Sequence, residues 1–296
     1  MKSMLCCVLL ISWVDVSSGA QSPFEGGWKI DLAESQSSTR IYTYLLQNNT
    51  YRCTSCDPPL DIKADGRDQK ITGEACYDTV SLKVVDDWTT DEIDKRSGKT
   101  VGTSRVTVSS DGNSATFESM ESCNANGDVV SGKDILSRVT KGPQGAHAVS
   151  GSWRISKRVN RSENALVVTL KLEGDTFSFA DPSGQSYAAR LDGTETPFKG
   201  DLSNTMVSVK RIGENTIEET DKHDGKVVEV TRFTLSADGK TMTVSMESKV
   251  TGTTRQFVAH KQNSKPVCLT KIRPTALRRN TPKILGGSSA NRKLCG

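Results

Sequence analysis

Arg105 and Arg232 stand at matching places in two similar stretches, VGTSRVTVS and VVEVTRFTLS. In the second, Arg232 shares a strand face with Val228, Val230 and Thr234. If that face lined a barrel interior, an unpaired guanidinium would be costly there, and a ligand carboxylate could supply a bidentate partner. Phe233 and Leu235 lie on the opposite face with similar apolar weight, so alternation leaves open which face is inside. Arg255 and Phe257 form a second pair of the same kind, a cation and an apolar ring two residues apart. Together these residues make a candidate ligand set, with arginine for an anionic head and apolar side chains for a tail.

Other chemistry is poorly represented. CTSC at 53–56 has the CxxC form, but it follows NNTYR in strand context and precedes DPP, not a helix start that would lower a thiol pKa. Cys76 and Cys123 are single and distant, not the close second pair that a zinc site uses. Structural disulfides are the expectation for Cys53, Cys56, Cys76 and Cys123, with three pairings open, and Cys268 to Cys295 is the natural pair in the tail. His147, His223 and His260 are scattered, and none accompanies a nucleophile motif. The acidic pairs Asp86-Asp87 and Glu218-Glu219 read as solvated outer-face charges. With no nucleophile, base or metal cluster legible, no catalytic residue, metal or cofactor is expected, and an enzyme is the least supported class.

The chain opens MKSMLCCVLLISWVDVSSGAQ, a minimal basic n-region, an apolar run of 11 from Met4 to Val14, and a small-residue site at Ser18-Gly19-Ala20. That predicts a cleaved secretory signal over 1–20 and an exported, disulfide-permissive setting, secreted or periplasmic. Net charge is +4, unevenly spread. Residues 264–296 hold eight basic side chains and no acid, which leaves the body at about −4. Such a tail could meet an anionic surface or simply be solvated, and nothing in it points to specific nucleic-acid recognition.

With an offset of 127, residues 65–117 match 192–244 without a gap, 19 of 53 positions being identical. Among them are Glu92/Glu219, Asp94/Asp221, Gly98/Gly225 and Arg105/Arg232. Each copy begins with Gly-x-Trp, at 26–28 and 151–153. The chain is therefore read as a tandem duplication, with one barrel at 21–142, a linker TKGPQGAHA, a second barrel at 149–263, and the basic tail. ALVVTLKLEGD and TMTVSMES alternate cleanly, and Asp-Gly-type turns recur at short spacing. A meander of eight to ten short strands buries its apolar face by closing on itself. The expected fold is all-β: two antiparallel up-and-down barrels in tandem.

Gly-x-Trp followed by about 110 residues of meander resembles the calycins, the lipocalins and fatty-acid-binding proteins. HDGKVVEVTRFTLSADGKTMTVSMESKVTGTTRQFVAHK is similar to the end of a fatty-acid-binding protein, with two DGK turns, an arginine strand and a final Arg-x-aromatic. The outline also resembles secreted chains of soil bacteria. Two departures stand out: SKRVNRSEN leaves no room for the family's helical lid, and Gly132-Lys133-Asp134-Ile135 replaces the final motif in the first copy. The resemblance implies a lumen for a small hydrophobic, fatty-acid-like or anionic amphipathic ligand, with Trp28 and Trp153 on the barrel floors. The alternative is a non-enzymatic surface module with solid barrels, protease-inhibitor-like or envelope-associated. The DKxxGK turn, in this reading, recurs only because it makes a tight hairpin.

Overall fold

The computed structural model describes residues 22–36, 38–56 and 58–262. The expectations for the signal, the basic tail and a Cys268–Cys295 pair lie outside the described residues.

The strands run in chain order as β1 (Gly26–Gln36), β2 (Ile41–Gln47), β3 (Thr50–Cys53), β4 (Leu60–Lys63), β5 (Gln69–Lys70), β6 (Thr79–Val84), β7 (Thr89–Arg96), β8 (Lys99–Val108), β9 (Ser114–Glu121) and β10 (Val130–Lys141). After the linker come β11 (Gly151–Arg161), β12 (Val167–Glu173), β13 (Thr176–Ala180), β14 (Ser186–Arg190), β15 (Thr196–Pro197), β16 (Met206–Gly213), β17 (Thr216–His223), β18 (Lys226–Leu235), β19 (Thr241–Ser248) and β20 (Thr254–Lys261). They form two ten-stranded antiparallel sheets, each curled into a nearly closed barrel. Bridges from Asp65 to Lys83 and from Ser186 to Lys199 draw the free edges together. DKxxGK does make a hairpin, since Ser97-Gly98 and Asp224-Gly225 all take positive φ, as a two-residue turn with the strands' own twist requires. That is not its whole content: its aspartates, Asp94 and Asp221, lie across from the core residues Val80 and Val207.

The barrels do not follow the repeat boundaries. β1 opens the first copy in sequence, yet it lies between β12 and β20 in the second barrel. β11 opens the second copy, yet it lies between β10 and β2 in the first barrel. The expected barrels at 21–142 and 149–263 are thus corrected to 41–161 and to 167–261 plus β1. The linker supplies the reason. Turns at Pro143–Ala146 and His147–Ser150 reverse the chain, so β11 pairs at once with β10. The first barrel is then an unbroken meander, and β1 is left to fill the matching slot in the second. This is an exchange of equivalent elements within one chain.

The two exchanged strands carry the same furniture. Trp28 and Trp153 are fully buried, and each indole N–H donates to a carbonyl four residues back, Phe24 at 2.9 Å and Val149 at 2.8 Å. A cation from the paired strand lies over each ring, Lys261 at 5.5 Å and Arg138 at 3.9 Å. Around the first tryptophan pack Phe24, Leu170, Phe177, Val207 and Phe233; around the second pack Leu46, Tyr51, Ile62, Val80 and Leu136. Among the described residues the disulfides are Cys53–Cys56 and Cys76–Cys123, which settles the pairing that sequence left open for these four cysteines and points to an oxidising, extracytoplasmic environment.

Candidate functional site

β7 and β17 position the residues of interest. In β7, Leu82 and Val80 of the core lie across from Glu92 and Asp94, so both carboxyls point into the first barrel. Asp91 and Ile93 point out. In β17, Val209 and Val207 lie across from Glu219 and Asp221 in the same way. Glu219 is 6% exposed. The reading of Glu218-Glu219 as two surface charges is therefore half wrong: Glu218 faces solvent and pairs with Arg232, while Glu219 is inside. Alternation makes that outcome unavoidable for adjacent residues in a one-sided strand.

The first lumen holds a cavity of about 300 Å3, lined by Tyr42, Tyr44, Tyr51, Phe117, Glu92 and Asp94, with Arg40 among its lining residues. The rings of Tyr44 and Tyr51 stack at 6.0 Å. At the cavity wall Arg40 donates to the Ser55 carbonyl and lies 5.2 Å over the Tyr42 ring. Asp94 Oδ1 is buried without a hydrogen-bond partner. Gly102 makes room for that carboxylate, since a Cβ there would come within 2.7 Å of Asp94 Oδ2. Burial pushes Glu92 up to about 8, helped by the Asp94 charge. Burial also lifts Asp94 to about 6, with Glu74 and Glu121 adding to it. Burial raises the Tyr44 and Tyr77 phenols too, with Glu92 contributing to both. Burial and like charge hold the proton on Glu92 up to about pH 8 and that on Asp94 up to about pH 6.

The second lumen is fuller. Phe177, Phe179, Tyr187, Phe198 and Phe233 form a contiguous aromatic packing. The Tyr187 hydroxyl donates to Glu219 Oε2, and burial followed by the Asp221 charge raises the Glu219 pKa. At its mouth a cavity of about 410 Å3 is lined by Asp201, Asp221, Glu229, Val228, Arg158 and Arg255, and also by Arg40 and Tyr42. The two cavities therefore adjoin at Arg40 and Tyr42.

The arginine expectations divide. Arg232 and Arg105 lie on outer faces, 43% and 53% exposed, and pair with Glu218 and Asp91 at 2.8 and 2.6 Å. The lumen reading for both is overturned; their strands' inner faces are those of Phe233 and Val106. Val230 shares Arg232's face and does not line the lumen, whereas Val228 reaches the mouth. Arg255 and Phe257 do face inward, with Arg255 bound to Glu229 at 2.7 Å and Arg158 lying 5.9 Å over the Phe257 ring. Arg232→Ala is expected to leave ligand affinity unchanged by titration and to cost only about 0.2–1 kcal/mol in denaturant unfolding, the ordinary worth of an exposed ion pair.

Outside the lumens, Asp31, Glu34 and His260 bring their ligand atoms within 4.8 Å of one another at a bulge in β1, on the half-exposed surface. The signal that marks Glu92, Asp94, Glu219 and Asp221 was present in sequence: both pairs are identical between copies at spacing two, while the residues between them are not. No protein-family model matches the chain, and no curated protein is detectably similar to it.

Proposed function

We propose that the protein is an exported, non-enzymatic binding protein whose first barrel takes a small organic cation, an amine or ammonium beside aromatic rings. The observation that carries this reading is the pairing of Glu92 and Asp94 with three tyrosine rings around a cavity of about 300 Å3. An ammonium entering that site would meet charge-assisted hydrogen bonds from two carboxylates and the faces of the tyrosines. Above about pH 6 it would meet an ionised Asp94 and favour loss of the Glu92 proton, so the cavity is better matched to a cation than to an acid.

The calycin-like outline supports a lumen as the place of binding, but the anionic amphiphile it suggests suits this lumen poorly. A fatty-acid carboxylate would sit beside Glu92 and Asp94, where like charge is costly. An open cavity in the first barrel also favours a binding protein over a solid surface module. The signal-like segment and the two disulfides together support export.

Calorimetric titration at pH 8 with 2-phenylethylammonium and with 3-phenylpropionate, similar in size and opposite in charge, tests the reading. Saturable binding of the amine at one site per chain is expected, with no matching binding of the acid. Glu92→Gln combined with Asp94→Asn is expected to weaken the amine about 10–100-fold, the worth of a buried charged hydrogen bond. Equal or tighter binding of the acid would overturn it.

A further inference from the structure

The second barrel repeats the first site in all but its closure. Glu219 and Asp221 stand where Glu92 and Asp94 stand, on the same row of the same strand. Asp221 Oδ1, like Asp94 Oδ1, is buried without a hydrogen-bond partner. The differences fall at three places fixed by strand register. Tyr187 replaces Leu60 and gives Glu219 a hydroxyl partner; Asp221 shares a side-chain hydrogen bond with Glu219 and keeps one carboxylate oxygen, Oδ1, without a partner. Glu229, across from Asp221, replaces Gly102, across from Asp94. Arg255, across from Met246, replaces Gly132, across from Ser119. Both members of the ion pair at the second mouth are thus glycines in the first copy.

The glycines leave their space to other groups. Gly102 admits the Asp94 carboxylate, and a Cβ at Gly132 would overlap the Arg161 guanidinium. Arg161 is bound at 2.6 Å to Asp134, and it does not line the cavity that holds Glu92. In the second barrel the cavity that holds Asp221 is lined by three arginines, Arg40, Arg158 and Arg255, and of these Arg255 is the one paired with Glu229, the carboxylate across from Asp221.

From this we infer that the second barrel contains a second organic-cation site, centred on Asp221, that the chain holds shut with its own Glu229–Arg255 ion pair. The inference rests on the reading of the first barrel as a cation site. Arg255 acts as a tethered competitor: it places a cation at the entrance and pairs it with the one added carboxylate. Because Arg255 remains 39% exposed, the closure lies at the surface of the lumen, where a side-chain change can open it without repacking the aromatic floor.

The test counts bound 2-phenylethylammonium per chain at pH 8, by native mass spectrometry and calorimetry, on the full exported protein and two variants. Glu229→Gly with Arg255→Gly copies the first barrel's residues; Arg255→Met removes the charge while keeping side-chain length, and decides the matter if the double variant fails to fold. Each variant is expected to bind one more amine than the parent, and Asp221→Asn in that background is expected to abolish the addition. Folded variants that bind the same number as the parent overturn the inference. The two readings fail separately. One amine in the parent and one in the variants keeps the first site and sinks the second; none in the parent and one in the variants does the reverse. None in any of them sinks both.

Discussion

Removing everything before Ser38 is expected to unfold the second barrel and leave the first one folded. β1 belongs to the first copy by sequence, but its backbone pairs on both sides with β12 and β20. Its loss strips two neighbouring strands of their ladder and empties the floor position of Trp28, which is fully buried with Phe24 beside it. Truncating a single buried aromatic of this kind costs about 3–5 kcal/mol, a large share of a domain's net stability of about 5–15 kcal/mol. Losing the strand with its tryptophan exceeds that. The first barrel, by contrast, runs from Ile41 to Arg161 without needing any residue of β1 in its sheet. Amide hydrogen exchange reads the two outcomes separately: protection is expected to persist across 41–161 and to vanish across 167–261. In the same way, Trp28→Ala should destabilise the second barrel and Trp153→Ala the first. Loss of protection in 41–161 on truncation, with 167–261 intact, would mean that each tryptophan strand serves its own copy after all.

The second large effect is on pH. In the folded protein without ligand, Glu92 titrates at about 8 and Asp94 at about 6, against about 4 for both carboxyls in an unfolded chain. The folded state therefore holds protons that the unfolded state has released. Stability from this source is fully present below about pH 4, falls as pH rises, and is gone once pH passes the folded values near 6 and 8. A bound ammonium reverses the trend, because it favours the ionised carboxyls. Affinity for 2-phenylethylammonium is expected to rise between pH 5 and 8, by at most about tenfold per pH unit for each proton displaced. Melting temperature without ligand is expected to fall over the same range. Glu92→Gln should flatten both profiles in their upper half and raise the ligand-free melting temperature at pH 8. An affinity that does not change between pH 5 and 8 would show that the ligand does not meet these carboxyls.

Much of the fold was legible because its signals are local. Alternation along 166–172 and 241–247, Asp-Gly turns with positive φ, and the two Gly-x-Trp starts each act over a few residues, and together they require closed meanders. The exchange of β1 and β11 was not legible, since two near-equivalent strands fit either slot and only the route of the linker decides. The site was half legible. Arg232 lies on a strand whose two faces carry similar apolar weight, and choosing the inner one takes the pairing of Phe233 with Ile217 and Val244. Arg255 and Phe257 share a strand face with the buried Ala259, and Arg255 is bound to Glu229, a pairing across strands that sequence spacing does not show. Glu219 was misassigned because two adjacent glutamates look like solvated charge, while the matching Glu92 and Asp94 in the other copy argued for a shared inner face.

The most direct test of a cation-binding lumen is native mass spectrometry on the protein, purified without detergent at pH 8 and then moved to pH 5. The expected result is a small basic molecule held at pH 8, released at pH 5, and absent from the variant with Glu92→Gln and Asp94→Asn. Co-purification of a fatty acid, or a ligand-free protein that stays so when incubated with organic amines at pH 8, would contradict it.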